Sequence, residues 1–167
     1  MPDIWVTSDT HFNHANILKF DRARGDDFSS VEEMNETIVD RWNSVVKKGD
    51  KVYHLGDVFF GPKADFQALW PRLNGSKRLV VGNHDDIKWL SAGGFFKKVF
   101  MWRSLKNFGL VLTHVPMESS CIDRVGTSGI NVHGHIHRKP TPTERHLCVC
   151  VEQTDYTPVN IEELRVR

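Results

Sequence analysis

Short apolar runs of the sequence repeatedly stop at side chains that can bind a metal or move a proton. Four such runs span residues 4–8, 51–55, 78–81 and 110–112. Each contains the β-branched residues typical of strands, and an aspartate, asparagine or histidine follows within two positions. Ligands of open α/β sheets bind beyond the carboxyl ends of the strands. The pattern therefore predicts a sheet whose reactive side chains gather along one edge.

Helices are predicted between these strands. Ser30 and Glu33 form a capping box, and apolar residues then recur at helical spacing up to Val46. Residues 64–73 form a second apolar helix, with Pro71 near its end, and we interpret it as a crossover between parallel strands. Weaker patterns predict a short helix over 86–90, strands over 97–102 and 147–151, and a helical turn over 160–164 capped by Asn160. Alternating strands and helices indicate an α/β fold.

A histidine cluster ends the apolar run within residues 130–137. His133, His135 and His137 occupy every second position around Gly134. In an extended chain they project from one face, and a bend at the glycine can re-aim them. Converging imidazoles favour a divalent metal ion. A surface histidine tract or a tag remnant is the alternative, but the cluster is internal and follows a strand pattern.

Length and charge limit the class of protein. A chain of 167 residues suits one domain spanning 1–167. The formal net charge of +1 does not indicate a nucleic-acid partner, although it leaves such a substrate possible. The chain opens with no basic segment followed by an apolar run, and no stretch has the length of a membrane span. We therefore expect a cytoplasmic protein without a membrane partner.

The cysteine count fits a reducing compartment. Cys121, Cys148 and Cys150 are odd in number, and the last two would share one face of a strand instead of forming a disulfide. They could be metal ligands, but without a second such pair a place in the core is favoured. His54 lies inside a predicted strand, which favours a buried histidine that supports a ligand over direct ligation.

Residues 12–29 show no clear period and are predicted to form a long loop. A loop of this length in a small domain is usually functional or mobile, so we interpret it as a candidate lid over the site. A solvated, charged surface loop is the alternative.

The candidate ligands and catalytic groups all follow predicted strands. They are Asp9, His11, Asp57, Asn83, His84, His114, His135 and His137. This set is larger than one ion needs. With His84 set aside, the other seven suit a pair of ions bridged by one carboxylate, and such pairs lie about 3.5–4 Å apart in phosphoester hydrolases. The sequence therefore predicts a dinuclear centre.

Five motifs carry these residues: Asp9-Thr10-His11, Gly56-Asp57, Gly82-Asn83-His84-Asp85, His114 and Gly134-His135-Ile136-His137. Their types and order resemble the calcineurin-like metallophosphoesterase superfamily, in a small single-domain form. The resemblance implies a four-layer α/β/β/α sandwich with the metal site at the carboxyl ends of the strands.

The resemblance also implies a role for each residue. One ion would be held by Asp9, His11 and His137, and the other by Asn83, His114 and His135, with Asp57 bridging both. His84 would be the general acid, and Asp85 would orient its imidazole and help keep it protonated.

The substrate is less well specified. The short chain leaves little room for the extra domains of larger relatives, so access would be controlled by residues 12–29 and 116–127. A small, open site suits nucleotide-type phosphodiesters. The side chains that could contact such a substrate are Asn13, His14, Arg22, Arg24, Arg138 and Arg145. Exposed arginines are, however, more often solvated charges.

We therefore expect a metal-dependent phosphodiesterase acting on a small cyclic or linear nucleotide. Its two divalent ions would be manganese, iron, zinc, nickel or cobalt, with manganese favoured for activity. A phosphomonoesterase or small nuclease with the same centre is the first alternative. A non-catalytic binding or scaffold protein is an alternative of another class, but it would lack ligands or the acid, and none is missing here. The sequence leaves the oligomeric state open.

Overall fold

The chain forms two β-sheets flanked by helices in a computed structural model that describes residues 1–123 and 129–165. The strands are β1 Ile4–Thr7, β2 Lys51–His54, β3 Ser76–Val80, β4 Lys98–Phe100, β5 Arg103–Leu105, β6 Leu110–Leu112, β7 Ile130–His133, β8 His146–Cys148 and β9 Val159–Asn160. The helices are α1 Ile17–Phe20, α2 Arg22–Asp27, α3 Val31–Val45, α4 Lys63–Leu69, α5 Ile87–Ala92 and α6 Ser119–Ile122. Short 3₁₀ helices span Trp70–Arg72, Lys106–Phe108, Val151–Gln153 and Ile161–Leu164. The predicted α/β sandwich is confirmed.

Both sheets are largely parallel. The first has the order β4-β3-β2-β1-β9, in which β9 alone is antiparallel to its neighbour. The second has the order β5-β6-β7-β8, in which β5 is the antiparallel member. A parallel bridge between Ser8 and Cys150 joins the two sheets just beyond β1. The carboxyl ends of β1 and of the second sheet therefore meet at one edge.

Alternating side chains of the strands divide the core in two. Val52 and Leu79 face α3 and α4, whereas their neighbours Tyr53 and Val80 face the second sheet. The helix side is filled by fully buried large residues, Trp42 of α3 and Phe66 of α4 among them. The first sheet is thus packed on both faces, and the loops at the strand ends are free to carry chemistry.

The predicted helix signals are present with small shifts. Ser30 Oγ accepts the backbone N–H of Glu33, but the Glu33 carboxylate turns back to Ser29 instead of Ser30. The second predicted helix corresponds to α4, and Pro71 lies in the 3₁₀ helix that follows α4. Asn160 caps its predicted turn by accepting the N–H of Glu162.

Three sequence predictions about the elements are wrong. The strand expected over 97–102 is shorter, since β4 ends at Phe100; the chain then changes sheet at 101–102, and β5 begins only at Arg103 in the second sheet. The last apolar run forms β8 only up to Cys148. Residues 12–29 are not one long loop: residues 17–20 and 22–27 fold into α1 and α2, and Ile17 and Phe28 are buried in the core.

The cysteines and the remaining segments are simply placed. Cys121, Cys148 and Cys150 are free thiols, and only Cys150 of the three is fully buried. Within residues 116–127, positions 124–127 lie outside the described residues. In the described ranges no helix combines the length and hydropathy needed to cross a membrane.

Candidate metal centre

Backbone hydrogen bonds continue past the ends of β1 and β2 and join the loop that contains Asp9 and His11 to the loop that contains Asp57. Asp9 N–H donates to the carbonyl of Gly56, and His11 N–H donates to that of Asp57, at 3.0 and 3.1 Å. His54 supports both loops: it accepts from Gly56 N at 3.2 Å, and its other nitrogen lies 2.9 Å from Thr10 Oγ1. Burial lowers the pKa of His54 to about 3, so it is neutral and buried, as predicted.

One group of ligand atoms is formed by Asp9, His11 and His137, whose atoms lie within 4.8 Å of one another. His11 Nε2 is 3.7 Å and His137 Nε2 is 3.9 Å from Asp9 Oδ1. Two ligands that are each about 2.1 Å from one ion can be at most about 4.2 Å apart. These distances fit a single cation held between the three side chains.

A second group is formed by Asp57, His114 and His135. Asn83 joins it, since its Oδ1 is 2.8 Å from His114 Nε2. The loops after β6 and β7 are held side by side by a backbone bond from Gly134 N–H to the His114 carbonyl. Every candidate ligand predicted from the sequence therefore lies in one of these two groups.

Asp57 stands between the groups. Its Oδ2 is 3.9 Å from His11 Nε2 in the first group and 3.4 Å from His114 Nε2 in the second. Its Oδ1 accepts the backbone N–H of His84 at 2.9 Å. One carboxylate oxygen is thus within ligand spacing of both groups, which is the geometry that a bridge between two ions requires.

Backbone strain is concentrated at these residues. Asp9, His11, Asp57, His135 and His137 all have φ between 48° and 69°, in the left-handed region. Such conformations are uncommon outside glycine, although Asp and His tolerate them better than most residues, and they cluster at functional sites. At Gly134 a Cβ would collide with the Asp9 carboxylate, so only glycine lets these loops approach. The local conformation is shaped to aim the side chains inward.

The unpaired atoms of the site fit a cation. Asp9 Oδ1 and both ring nitrogens of His11 are buried without a hydrogen-bond partner among the described residues, although buried polar groups are nearly always paired. Burial would raise the pKa of Asp9, but the imidazoles of His11 and His114 outweigh it and hold the pKa well below its usual range. Carboxylate, amide and imidazole donors are those that divalent transition metals take. The residues present therefore fit two such ions.

A buried arginine supports the first group from behind. Arg24 of α2 donates to the carbonyls of Asp9 and Thr10 and, through Nε at 2.6 Å, to Glu152 Oε1. The same oxygen is 2.7 Å from His137 Nδ1. Burial alone would lower the pKa of His137, but the contact with Glu152 outweighs burial and raises the pKa. Arg24 and Glu152 thus hold the loop of Asp9 and the ring of His137 in place.

We expect Glu152→Gln to weaken metal binding at the first group about 10–100-fold, the usual loss when the partner of a ligating histidine is changed. Calorimetric titration with manganese should then resolve one weakened and one unchanged site. Glu144→Gln, at an exposed carboxylate, is the matched control. Unchanged affinity at both sites in a folded Glu152→Gln variant would show that the contact does not support the ligand.

The neighbours of His84 differ from the sequence prediction. Asp85 was expected to orient the His84 ring, but its two oxygens accept the backbone N–H groups of Gly82, Asp57 and Val58 at 2.8–3.1 Å. Asp85 therefore ties the loop after β3 to the loop after β2. The exposed His84 ring lies 5.2 Å from the Phe60 ring.

His14 lies close by and stacks on Phe60 at 4.1 Å. Burial, with the charges of His11 and Arg24, lowers the pKa of His14 to about 4. Its ring is thus neutral near pH 7 and is a poor proton donor.

The other predicted substrate contacts fall into different places. Arg22 and Arg138 are exposed beside the site. Arg24 is fully buried and faces the interior, so the expectation that it touches substrate does not agree with its position. Asn13 pairs with Asn35 of α3, and Arg145 pairs with Asp123 at 2.7 Å. Neither borders the cavities described next.

Three hollows meet at the ligands. The central cavity, of about 360 Å³, is bordered by His11, His14, Asp57, Phe60, His84 and His137. The basic hollow, of about 630 Å³, is bordered by Phe20, by the cationic Arg22, Arg138 and Lys139, and by the carboxylates of Asp21 and Asp26. The apolar hollow, of about 530 Å³, lies beside Asn83 and His114 and contains Ile87, Met101, Trp102, Val115 and Met117. The centre is open to groups larger than a phosphate.

The sequence matches a known family. The family model of the calcineurin-like phosphoesterases covers residues 2–161, nearly the full chain. The chain belongs to the calcineurin-like phosphoesterase family. Its clustered carboxylates and imidazoles, together with this membership, make it a metal-dependent phosphoester hydrolase.

Two proteins are similar to this chain in sequence, and one solved structure is similar to it in fold. Uncharacterized protein MJ1445 of Methanocaldococcus jannaschii is 34% identical over 97% of this chain and 89% of its own. The Gene 66 protein of Mycobacterium phage L5 is 42% identical, but over only 51% of this chain and 41% of its own length. The crystal structure of AQ665 from Aquifex aeolicus, a protein of unknown function, superposes with a TM-score of 0.81 at 25% identity and covers 98% of both chains.

Proposed function

We propose that this phosphoesterase hydrolyses phosphodiesters of nucleotide type with two divalent ions, manganese being favoured for activity. The observation that carries the proposal is the placement of the hollows. The central cavity is bordered by Asp57, one larger hollow is bordered by His135 and His137, and another is bordered by Asn83 and His114. A monoester has one organic group to place, whereas a diester has two. Room on both sides of the phosphate therefore favours a diester.

The ligands would be divided as the two groups divide them. Asp9, His11 and His137 would hold one ion, Asn83, His114 and His135 the other, and Asp57 both. When bound, such ions supply Lewis acidity that offsets charge on the phosphoryl oxygens and makes a water nucleophilic near neutral pH. The left-handed backbone at five of these residues would keep the donors aimed before metal arrives, so little reorganisation is needed.

His84 would donate the proton to the departing oxygen. Its ring borders the central cavity, and its backbone N–H is held by Asp57 Oδ1. A general acid must be within hydrogen-bond reach of the leaving group. His84 is an exposed histidine of the central cavity, and it belongs to neither of the two ligand groups. His14 is less suited because its ring is neutral near pH 7.

A small nuclease is the second candidate, and the basic hollow favours it. Arg22, Arg138 and Lys139 could contact a further phosphate of an oligonucleotide. Their charge is partly offset, since Arg138 lies 3.0 Å from Asp27 and Arg22 lies 3.9 Å from Asp26. A cyclic or linear nucleotide of small size thus remains the first candidate.

A substrate panel tests the proposal. Cyclic nucleotides, dinucleotides, single-stranded nucleic acid and phosphomonoesters should be assayed with manganese, nickel and zinc, and with chelator-treated protein as the control. We expect kcat/KM for at least one nucleotide diester to exceed that for the matching monoester by about tenfold or more, a difference of about 1.4 kcal/mol in transition-state binding. A preference for monoesters, or no hydrolysis at full metal occupancy, would overturn it.

A further inference from the structure

The apolar hollow is bordered by most of the exposed large apolar side chains in the described part of the chain. Six large apolar side chains are exposed in the described part of the chain, and four of them, Ile87, Met101, Trp102 and Val115, border this one hollow. Met101 is 72% and Trp102 49% exposed. Single exposed apolar residues are normal, but a contiguous group beside a catalytic centre marks a binding surface.

The same loops that carry metal ligands build the hollow. Val115 directly follows His114, and Ile87 comes four residues after Asn83 at the start of α5. Met101 and Trp102 form the crossing between β4 and β5, where the chain passes from the edge of one sheet to the edge of the other. The apolar wall and the second ligand group are therefore fixed to each other by the fold.

The hollow has the size and character of a small-molecule subsite. Its volume of about 530 Å³ falls within the range of ligand pockets, roughly 300–1,000 Å³. No lysine or arginine is found among the described residues that border it, in contrast with the basic hollow, and the carboxylate of Asp85, which does border it, accepts three backbone N–H groups. An uncharged group is favoured there, and the indole of Trp102 offers a planar face for stacking.

We propose that the apolar hollow binds the nucleobase of the substrate, with the base stacked on Trp102. The inference rests on the proposed function, because it assigns a subsite to that nucleotide. Asn83 and His114 border both the hollow and the proposed ion, so a base in the hollow is directly next to the reacting phosphate. A second copy of the chain docked here would cover these ligands, which is why the base is the better occupant.

The subsite can be tested by binding without hydrolysis. Manganese-loaded protein should be titrated calorimetrically with adenosine 5′-monophosphate and with ribose 5-phosphate, which lacks the base. We expect the nucleotide to bind about 10–100-fold more tightly, the range that stacking of one base on an aromatic side chain supports. Equal affinities, or no binding of either compound, would overturn the inference.

Variants of Trp102 test whether the tighter binding of the nucleotide depends on this side chain. Trp102→Ala should reduce the advantage of the nucleotide to less than about threefold, while Trp102→Phe keeps most of it and ribose 5-phosphate binding and manganese content stay unchanged. Phe108→Ala is the matched control, since Phe108 is a half-buried aromatic residue of a hollow formed by residues 103–108, which contains none of the candidate metal ligands. Loss of the preference in Phe108→Ala but not in Trp102→Ala would overturn the assignment.

Two further outcomes distinguish this inference from a dimer interface at the hollow and from the proposed function. If Trp102→Ala converts a dimer to a monomer by light scattering and leaves the nucleotide preference intact, the hollow binds a second copy and the inference fails. If the preference for the nucleotide is present and depends on Trp102, but no diester is hydrolysed in the substrate panel, the proposed function fails while the subsite stands.

Discussion

Asp57→Ala should release both ions, because one oxygen of Asp57 serves both ligand groups. That oxygen lies 3.9 Å from His11 Nε2 and 3.4 Å from His114 Nε2. Loss of a residue that merely supports a ligand costs about 10–100-fold in metal affinity, so removal of a bridging ligand should cost more than about 100-fold at each site. Elemental analysis should find less than one equivalent of manganese, and hydrolysis should fall to the level of chelator-treated protein.

Asp57→Asn separates charge from shape. The amide keeps the volume and can still accept the N–H of His84, now made to Oδ1 at 2.9 Å, but it carries no charge to share between two cations. Asp65→Asn, at an exposed carboxylate of α4, is the control that should keep two equivalents. Two full equivalents of metal in folded Asp57→Ala would rule out the bridging role.

His84→Ala should harm hydrolysis selectively. Proton donation matters most when the leaving oxygen is a basic alkoxide such as a ribose hydroxyl, and little when it leaves as a stabilised nitrophenolate. With both ions bound, we expect kcat to fall about 10²–10⁴-fold on a nucleotide diester and much less on a nitrophenyl diester. Parallel kinetics on the two substrates, with metal content measured in the same samples, check this.

Asp85→Asn distinguishes the acid from its surroundings. Asp85 accepts the backbone N–H groups of Gly82, Asp57 and Val58. Its loss should therefore loosen the loops that carry the ligands and slow the hydrolysis of both substrates to the same extent. Equal losses on both substrates in His84→Ala at full metal occupancy would instead show that His84 supports phosphate charge or geometry. The proton donor would then have to be another group.

The strand-end rule explains why so much of the site could be predicted. Asp9, Asp57 and His114 each follow a strand that ends at the same edge, and parallel strands leave little freedom in where their carboxyl ends lie. The convergence of two sheets could not be derived from local pattern, because the bridge between Ser8 and Cys150 joins residues far apart in sequence. Its consequence, one centre built from both sheets, needed the resemblance or the structure.

Arg24 does not lie where the sequence predicted, and the reason is a buried ion pair. It was predicted to contact the substrate, but its guanidinium is buried against the carbonyls of Asp9 and Thr10 and against Glu152. A buried arginine is rare without a paired carboxylate, and the partner lies more than a hundred residues away. Glu152 itself follows the predicted strand over 147–151, so the rule that found Asp9 could have found it.

Residues 12–29 show where periodicity fails. Helices of four and six residues are too short to produce a repeating apolar stripe, so α1 and α2 could not be recognised by period. Their cap signal was present, since Asp21 accepts the N–H of Arg24 at 3.0 Å. For Trp102, no local pattern distinguishes a strand residue from a turn at a change of sheet, and its exposure is visible only in the fold.

A pair of ions that share Asp57 can be located by anomalous diffraction from crystals of the manganese-loaded protein. We expect two anomalous peaks about 3.5–4 Å apart. One peak should lie among Asp9, His11 and His137, the other among Asn83, His114 and His135, with Asp57 in contact with both. A single peak, or two peaks that do not share Asp57, would contradict it.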